Sequence, residues 1–452
     1  MLREPGPEQT ALEIVTLEEL VPADHLLRKV DAVIDFAFIH GLTAPLYCPD
    51  NGRPALDPTL MFKALFLGYL FGVRSERQLV REIQVNVAYR WFLRLRLTDA
   101  STLSQNRRRR YGDTSVAQEI FDRIVEQAIS HGLVDGTVLY TDSTHLKANA
   151  NKSKYDKAIV TKSRSDYWEA LDAAITKERR ERGLKSLAPK KLMPVEAETK
   201  VSRTDPDSGY MVRDDKPKGF FYLDHRTVDG RLGIITDTFA TPANVHDSIV
   251  YLGRLDRQRE RFAFPVAAVG LDAGYATAGI AQGLEERDIL GVTGYRNPTP
   301  PKPGMMRKSR FQREEDQDGY RCPQGQLLGY ATTDRQGYRH YKSDPALCQQ
   351  CPLRASCTSA AKPQRVITRH IWQDARERCD SHRLTPWGKA VYKHRKETVE
   401  RSFADAKQLH GHRYARFRGQ IAVACQCLLA AAAQNIKKIA LALTRQPDPI
   451  PA

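Results

Sequence analysis

Residues 265–275 read PVAAVGLDAGY and residues 137–142 read TVLYTD. Each is a short apolar, partly β-branched run that stops at an aspartate, Asp272 in the first and Asp142 in the second. Runs of this length fit strands buried within a sheet. In open α/β sheets functional groups gather at strand ends, where the backbone aims side chains into a shared crevice. The flanking residues extend the pattern. GFFYLDHRTVDGRLGIITDTFA (219–240) predicts a hairpin turning at Asp229-Gly230. VHDSIVYLGRLDRQRE (245–260) predicts a helix, and a further helix from about Ala276 leads into a strand at ILGVTGY (289–295). Strands interleaved with helices predict a mixed α/β core.

A third carboxylate enters from YKHRKETVERSFADAKQLHGHRYARFRG (392–419). Glu400 and Lys407 lie seven apart, two helical turns, so they share a face within about 20°. Val399, Phe403 and Ala406 form a neighbouring apolar stripe that would dock this helix on the sheet. Two C-terminal helices are expected, about Pro386–Leu409 and Gly419–Leu443. Three carboxylates suit hard divalent cations such as Mg²⁺, or Mn²⁺, which bind through a few carboxylates plus phosphate oxygens. Two such ions can serve an in-line displacement at phosphorus without a protein nucleophile. The surroundings suit a phosphate backbone, because residues 383–418 carry 10 basic against 3 acidic side chains.

The whole chain agrees with a polyanion partner. Its 452 residues carry a net charge of +16, and its 41% hydrophobic content excludes a disordered or collagen-like protein. The charge is unevenly spread: residues 1–50 have net −6 and residues 51–110 net +8, ending in Arg107, Arg108, Arg109 and Arg110. Before that run, LDPTLMFKALFLGYLFG (56–72) predicts a helix capped by Asp57 and stopped at Gly72. Ser75, with Gln78 as capping-box partner, opens a second helix, SERQLVREIQVNVAYRWFL (75–93), giving a helix-turn-helix outline. The four arginines are therefore candidate DNA contacts. No run reaches the ~18 apolar residues that span a bilayer, and the N-terminus lacks a signal-peptide core. Eight cysteines are too sparse for a disulfide scaffold, which predicts a reduced, cytoplasmic protein.

Two insertions interrupt the core. Residues 151–218 hold 17 basic and 12 acidic side chains and few large apolar ones, predicting a protruding, partly mobile segment and not a core. Residues 297–380 are rich in Pro, Gly, Gln and Cys. Here Cys322, Cys348, Cys351 and Cys357 follow a C-x25-C-x2-C-x5-C pattern, which suits a structural Zn²⁺ or four free thiols. Cys48, Cys379, Cys425 and Cys427 show no ligand spacing.

The segments LYTDSTHLKANANKSK, TFATPANVHDS, VGLDAGYA and VERSFADAKQLHGHRYARFRG, in this order, resemble bacterial insertion-sequence transposases of the DDE superfamily, group eleven-eighty-two and its relatives. GRPALDPTLMFKALFLGYLFGVRSERQLVREIQ is similar to the helical module that precedes their catalytic core. The resemblance spans roughly residues 20–440. It implies an all-helical, DNA-binding N-terminal domain at 1–115. It further implies an RNase H-like domain at 116–445, with insertions at about 148–218 and 297–380, and a tail at 446–452. It implies Asp142, Asp272 and Glu400 as the catalytic, metal-binding triad for two Mg²⁺ or Mn²⁺ ions, with Glu397 as the alternative acid. Tyr392, Arg395 and Lys407 complete the family's helix signature, although four residues separate Arg395 from Glu400 where many relatives have three. The implied partner is double-stranded DNA, both element ends and target, bound by a homo-oligomer. Two other functions fit the same residues: a metal-dependent nuclease that cuts without joining, and a DNA-binding regulator with an inactive core.

Overall fold

Strand β1, Val138–Lys147, is the axis of the molecule and runs five residues past Asp142, where the sequence predicts its end. The computed structural model describes residues 14–48, 50, 55–94, 99–162, 166–188, 195–212, 218–295 and 302–445; the 446–452 tail lies outside them. After β1 come the hairpin β2 (Tyr155–Lys162) and β3 (Val195–Ser202), then β4 (Gly209–Met211), β5 (Gly219–Asp229), β6 (Ile235–Pro242), β7 (Ala268–Leu271) and β8 (Leu290–Thr293). The central sheet has the order β4-β5-β1-β7-β8, with β6 also on β5. β1 pairs antiparallel with β5 from Leu139 to Lys147, but parallel with β7 only from Val138 to Thr141. The longer ladder carries β1 onward after β7 has stopped.

One apolar core joins this sheet to the N-terminal helices. Its centre is the Gln420–Leu443 helix, which packs on β6 and on the Val116–Ser130, Pro58–Leu70 and Leu26–Val33 helices. Asn435 closes the exposed edge of β6: its amide donates to the Ile235 carbonyl at 2.7 Å and accepts from the Ile235 N–H at 2.9 Å. Among the described residues, no helix is long and apolar enough to cross a membrane.

The N-terminal region is helical, with one departure from expectation. Asp57 caps Pro58–Leu70 as predicted, and that helix is buried nearly all round. The predicted second helix is two, Glu76–Val85 and Val87–Leu93. Asn86 breaks it by accepting the Tyr89 N–H at 3.1 Å, a local bond that competes with the helix ladder. The capping box is half formed, because the Gln78 amide donates to Glu82 instead of reaching back to Ser75. Gly72 is required at its turn: φ is +69°, and a methyl there would meet the Leu409 carbonyl at 2.8 Å.

The insertions are built structures. The second forms β9 (Gln312–Glu314), β10 (Gly319–Arg321), β11 (Leu327–Thr333), β12 (Tyr338–Lys342) and β13 (Val366–His370), an antiparallel sheet around Phe311, Tyr320, Leu328, Tyr341 and Ile367. The first insertion, whose composition suggests a partly mobile segment, has a docked part among the described residues. Its Asp166–Glu181 helix docks on that sheet, with Arg179 donating to the Thr333 carbonyl and Arg182 to Asp318. Charged residues that read as solvated thus find partners in the other insertion. The Gln373–Leu384 helix, placed in the second insertion by composition, packs on β8 and belongs to the core.

Candidate functional site

Thr141 on β1 lies opposite Leu271 on the parallel strand β7, so Asp142, still within β1, and Asp272, just past the end of β7, stand at the same level. Parallel pairing ends there, the position at which open α/β sheets form a crevice. Asp142 Oδ1 accepts the Ser143 N–H at 2.7 Å. Burial pushes the Asp142 carboxyl up, Arg395 opposes this and Asp272 adds to it, leaving it at about 6. Asp272 caps the turn Ala273–Tyr275, accepting from the Gly274 N–H.

The expected Pro386–Leu409 helix is broken into Pro386–His394 and Val399–Gln408. At the break the Glu400 N–H bonds the Arg395 carbonyl at 3.1 Å, five residues back. Such a bulge absorbs one extra residue. It takes up the additional residue between Arg395 and Glu400, and the two side chains still meet. Arg395, only 5% exposed, sets Nη2 at 2.8 Å from Asp142 Oδ2 and Nη1 at 3.6 Å from Glu400 Oε1. Glu400 is 46% exposed, open to the crevice mouth. Val399, Phe403 and Ala406 are buried and seat its helix on the sheet, as the stripe predicts. Lys407 lies on the same helix. Glu397 points elsewhere, into an ion pair with His394 at 3.3 Å. Tyr392 reaches Gly294, beside Ala273; a methyl on Gly294 would meet the Tyr392 hydroxyl at 2.7 Å.

The arginine run is not a uniform face. Arg107 pairs with Glu76 at 3.0 Å and stacks 3.6 Å from the Phe417 ring, and Arg110 lies over Tyr47. Arg108 and Arg109 are exposed. Arg108 borders a cleft of about 280 Å³ with Arg418 and Asp207.

Two family models match these elements: transposase domain (DUF772) over residues 15–109 and transposase DDE domain over residues 321–440. The chain belongs to the DDE transposases of insertion sequences. No curated protein matches it. The DDE match includes Glu400 and the four clustered cysteines, whereas Asp142 and Asp272 precede it. Transposases of these families act on DNA, and DDE enzymes work with divalent metal ions. The transposase's crevice fits such an ion: its donors are hard carboxylate oxygens, and the buried Tyr275 hydroxyl beside them has no partner among the described residues.

The four thiols of Cys322, Cys348, Cys351 and Cys357 line one cleft of about 220 Å³ and form no disulfide. Burial raises the Cys357 thiol, Arg365 opposes this, and the other three thiols raise it further. The sulfurs share the cleft without any three lying within 4.8 Å of one another, and zinc would have to draw these donors together.

Sequence reasoning missed a buried network behind the crevice. Arg226 stands opposite Asp142 in the β1–β5 register. It donates to Asp224 Oδ2 at 2.9 Å and to Ser402 Oγ at 3.2 Å, two residues from Glu400. Asp224 also accepts from His412 at 2.8 Å and Thr238 at 2.6 Å. Asp224, His412 and Cys427 have donor atoms within 4.8 Å of one another, but Arg226 is already the cation there. Alternation along β5 could have flagged the pair, since Asp224 and Arg226 occupy one face of a strand that is buried from Tyr222 to Asp229.

Proposed function

We propose that this transposase binds the ends of its insertion sequence, cleaves the strands and joins the 3′ ends to target DNA, with Asp142, Asp272 and Glu400 holding two Mg²⁺ or Mn²⁺ ions. The observation that carries this reading is Arg395, whose guanidinium spans Asp142 and Glu400 across a crevice where Asp272 lies in register with Asp142. Such ions activate the attacking oxygen and neutralise the leaving one in an in-line displacement. The chain's own groups orient the parts. Arg395 holds Asp142 and Glu400 facing each other across the gap. Ser143 fixes one oxygen of Asp142, and Tyr392 packs beside the Asp272 turn. Arg108, Arg109 and Lys407 supply positive charge for phosphate, and the 1–115 helices carry much of the DNA contact. The sheet order, antiparallel β6-β5-β1 followed by parallel β7 and β8, supports an RNase H-like core spanning 116–445. Zinc bound by the four clustered cysteines stabilises the second insertion, and a homo-oligomer holds the two element ends together.

The test is a cleavage and strand-transfer assay on DNA carrying the element's ends, with Mg²⁺ supplied. Wild-type protein should yield nicked ends and joined products. Asp142→Ala, Asp272→Ala and Glu400→Ala should each abolish both while still shifting the DNA in a gel. Nicking without joining would instead identify a nuclease, and full activity in any of the three variants would remove that residue from the triad.

A further inference from the structure

Asp247 is the first residue of the Asp247–Phe262 helix, just after the His246 cap. An acid there ordinarily needs no explanation beyond the helix dipole. Its surroundings say more. The Ser143 hydroxyl, next to Asp142, donates to Asp247 Oδ1 at 2.9 Å. Its other oxygen faces the Asp272 turn: a methyl built on Gly274 would lie 3.4 Å from Asp272 Oδ1 and 4.0 Å from Asp247 Oδ2. The helix therefore brings a fourth carboxylate to the rim that β1 and β7 form with Asp142 and Asp272.

Two buried polar atoms near this rim have no hydrogen-bond partner among the described residues. The Tyr275 hydroxyl, in a residue 1% exposed, sits in the combined field of Asp247, Asp142 and Asp272. His225 Nδ1, in a residue 5% exposed, lies 3.8 Å from Asp247 Oδ1, beyond hydrogen-bonding reach, while its Nε2 is held by Thr241 at 2.8 Å. Unpartnered buried polar atoms call for an explanation such as an ion or its waters. Three carboxylates facing one rim favour a cation between them, and the nearby Arg395 is already engaged by Asp142 and Glu400.

We propose that Asp247 is a fourth acidic ligand of the divalent-cation site, shared with Asp142 and Asp272 and oriented by Ser143. The proposal rests on the metal-site reading above and extends it to a residue outside the triad. Divalent cations of this class keep several waters. The Tyr275 hydroxyl and His225 Nδ1 are positioned to bond such waters, which makes them positioning groups and not ligands.

The test is Mn²⁺ titration of the full chain without DNA, reading free Mn²⁺ by electron paramagnetic resonance, beside metal-free thermal unfolding. Asp247→Asn should weaken Mn²⁺ binding about tenfold or more and leave metal-free unfolding unchanged or slightly raised. Ser143→Ala, which keeps every carboxylate, should weaken binding several-fold and decides the matter should Asp247→Asn fail to fold. Asp142→Asn is the control. If it loses Mn²⁺ while Asp247→Asn and Ser143→Ala match wild type, the Asp247 proposal is overturned and the triad stands. If all three bind as wild type does, the metal-site reading falls, and the proposal with it.

Discussion

Replacing Asp224 with Asn keeps the shape of the side chain but removes the negative charge paired with a fully buried guanidinium. Arg226 and Asp224 are both 0% exposed, with 2.9 Å between Nη2 and Oδ2. Charge centres about 4 Å apart at an effective dielectric of about 20 give roughly 4 kcal/mol. Breaking one partner of a buried pair typically costs about 3–5 kcal/mol. Asp224→Asn should therefore lower unfolding free energy by that amount in urea titrations followed by far-UV circular dichroism. Adding Arg226→Met should recover much of the loss, because the stranded charge is gone. The pH dependence follows from the same contacts. Burial alone would raise the Asp224 carboxyl, but Arg226, His412 and Thr238 outweigh it and hold it well below the usual carboxylate range. A depressed folded pKa contributes stability that is present above the unfolded value of about 3.9 and lost as pH falls toward the folded one. The gap between wild type and Asp224→Asn should hold from pH 7 to about 5 and narrow below about 4. A single variant within about 1 kcal/mol of wild type at pH 7, or a double variant as unstable as the sum of two singles, would refute the charged-network account.

Glu397→Ala should cleave DNA at close to the wild-type rate, since its carboxylate pairs with His394 outside the crevice; a loss as deep as that of Glu400→Ala would exchange their roles. Arg108→Ala combined with Arg109→Ala should reduce the slope of log affinity against log salt by about two, one for each phosphate no longer neutralised, and an unchanged slope would make them a solvated face. Arg107→Ala should instead lower stability by about 1–3 kcal/mol, as it removes a half-buried ion pair and a ring stack. Metal analysis should find about one zinc per chain, absent from Cys351→Ser, which should show faster proteolysis around 343–358 while the β9–β13 sheet keeps its own small core; zinc-free protein with unchanged proteolysis would return the cysteines to plain thiols.

Local chemistry made much of this protein legible in its sequence. The Asp57 cap, the Asp229-Gly230 turn, the apolar strand of β7 and the Val399, Phe403 and Ala406 stripe each act within a few residues, so reading in order was enough. Segment order also pointed to Asp142, Asp272 and Glu400, because an apolar run closed by an acid and a helix with an acid on one face are local patterns, although β1 runs on past Asp142. Only the tertiary structure decided the rest. The bulge that lets Arg395 meet Glu400 depends on the helix being pressed against β1 and β5. The Asp166–Glu181 helix of the charged first insertion is docked because Arg179 and Arg182 find acceptors 154 and 136 residues away in sequence. Arg107 and Arg110 leave the basic face because Phe417 and Tyr47 arrive from distant segments. Asp247 reads as an ordinary helix start until β1 brings Ser143 beside it. Periodicity and capping report which face of an element is apolar, but not what that face meets, and in this molecule the meetings assemble the crevice.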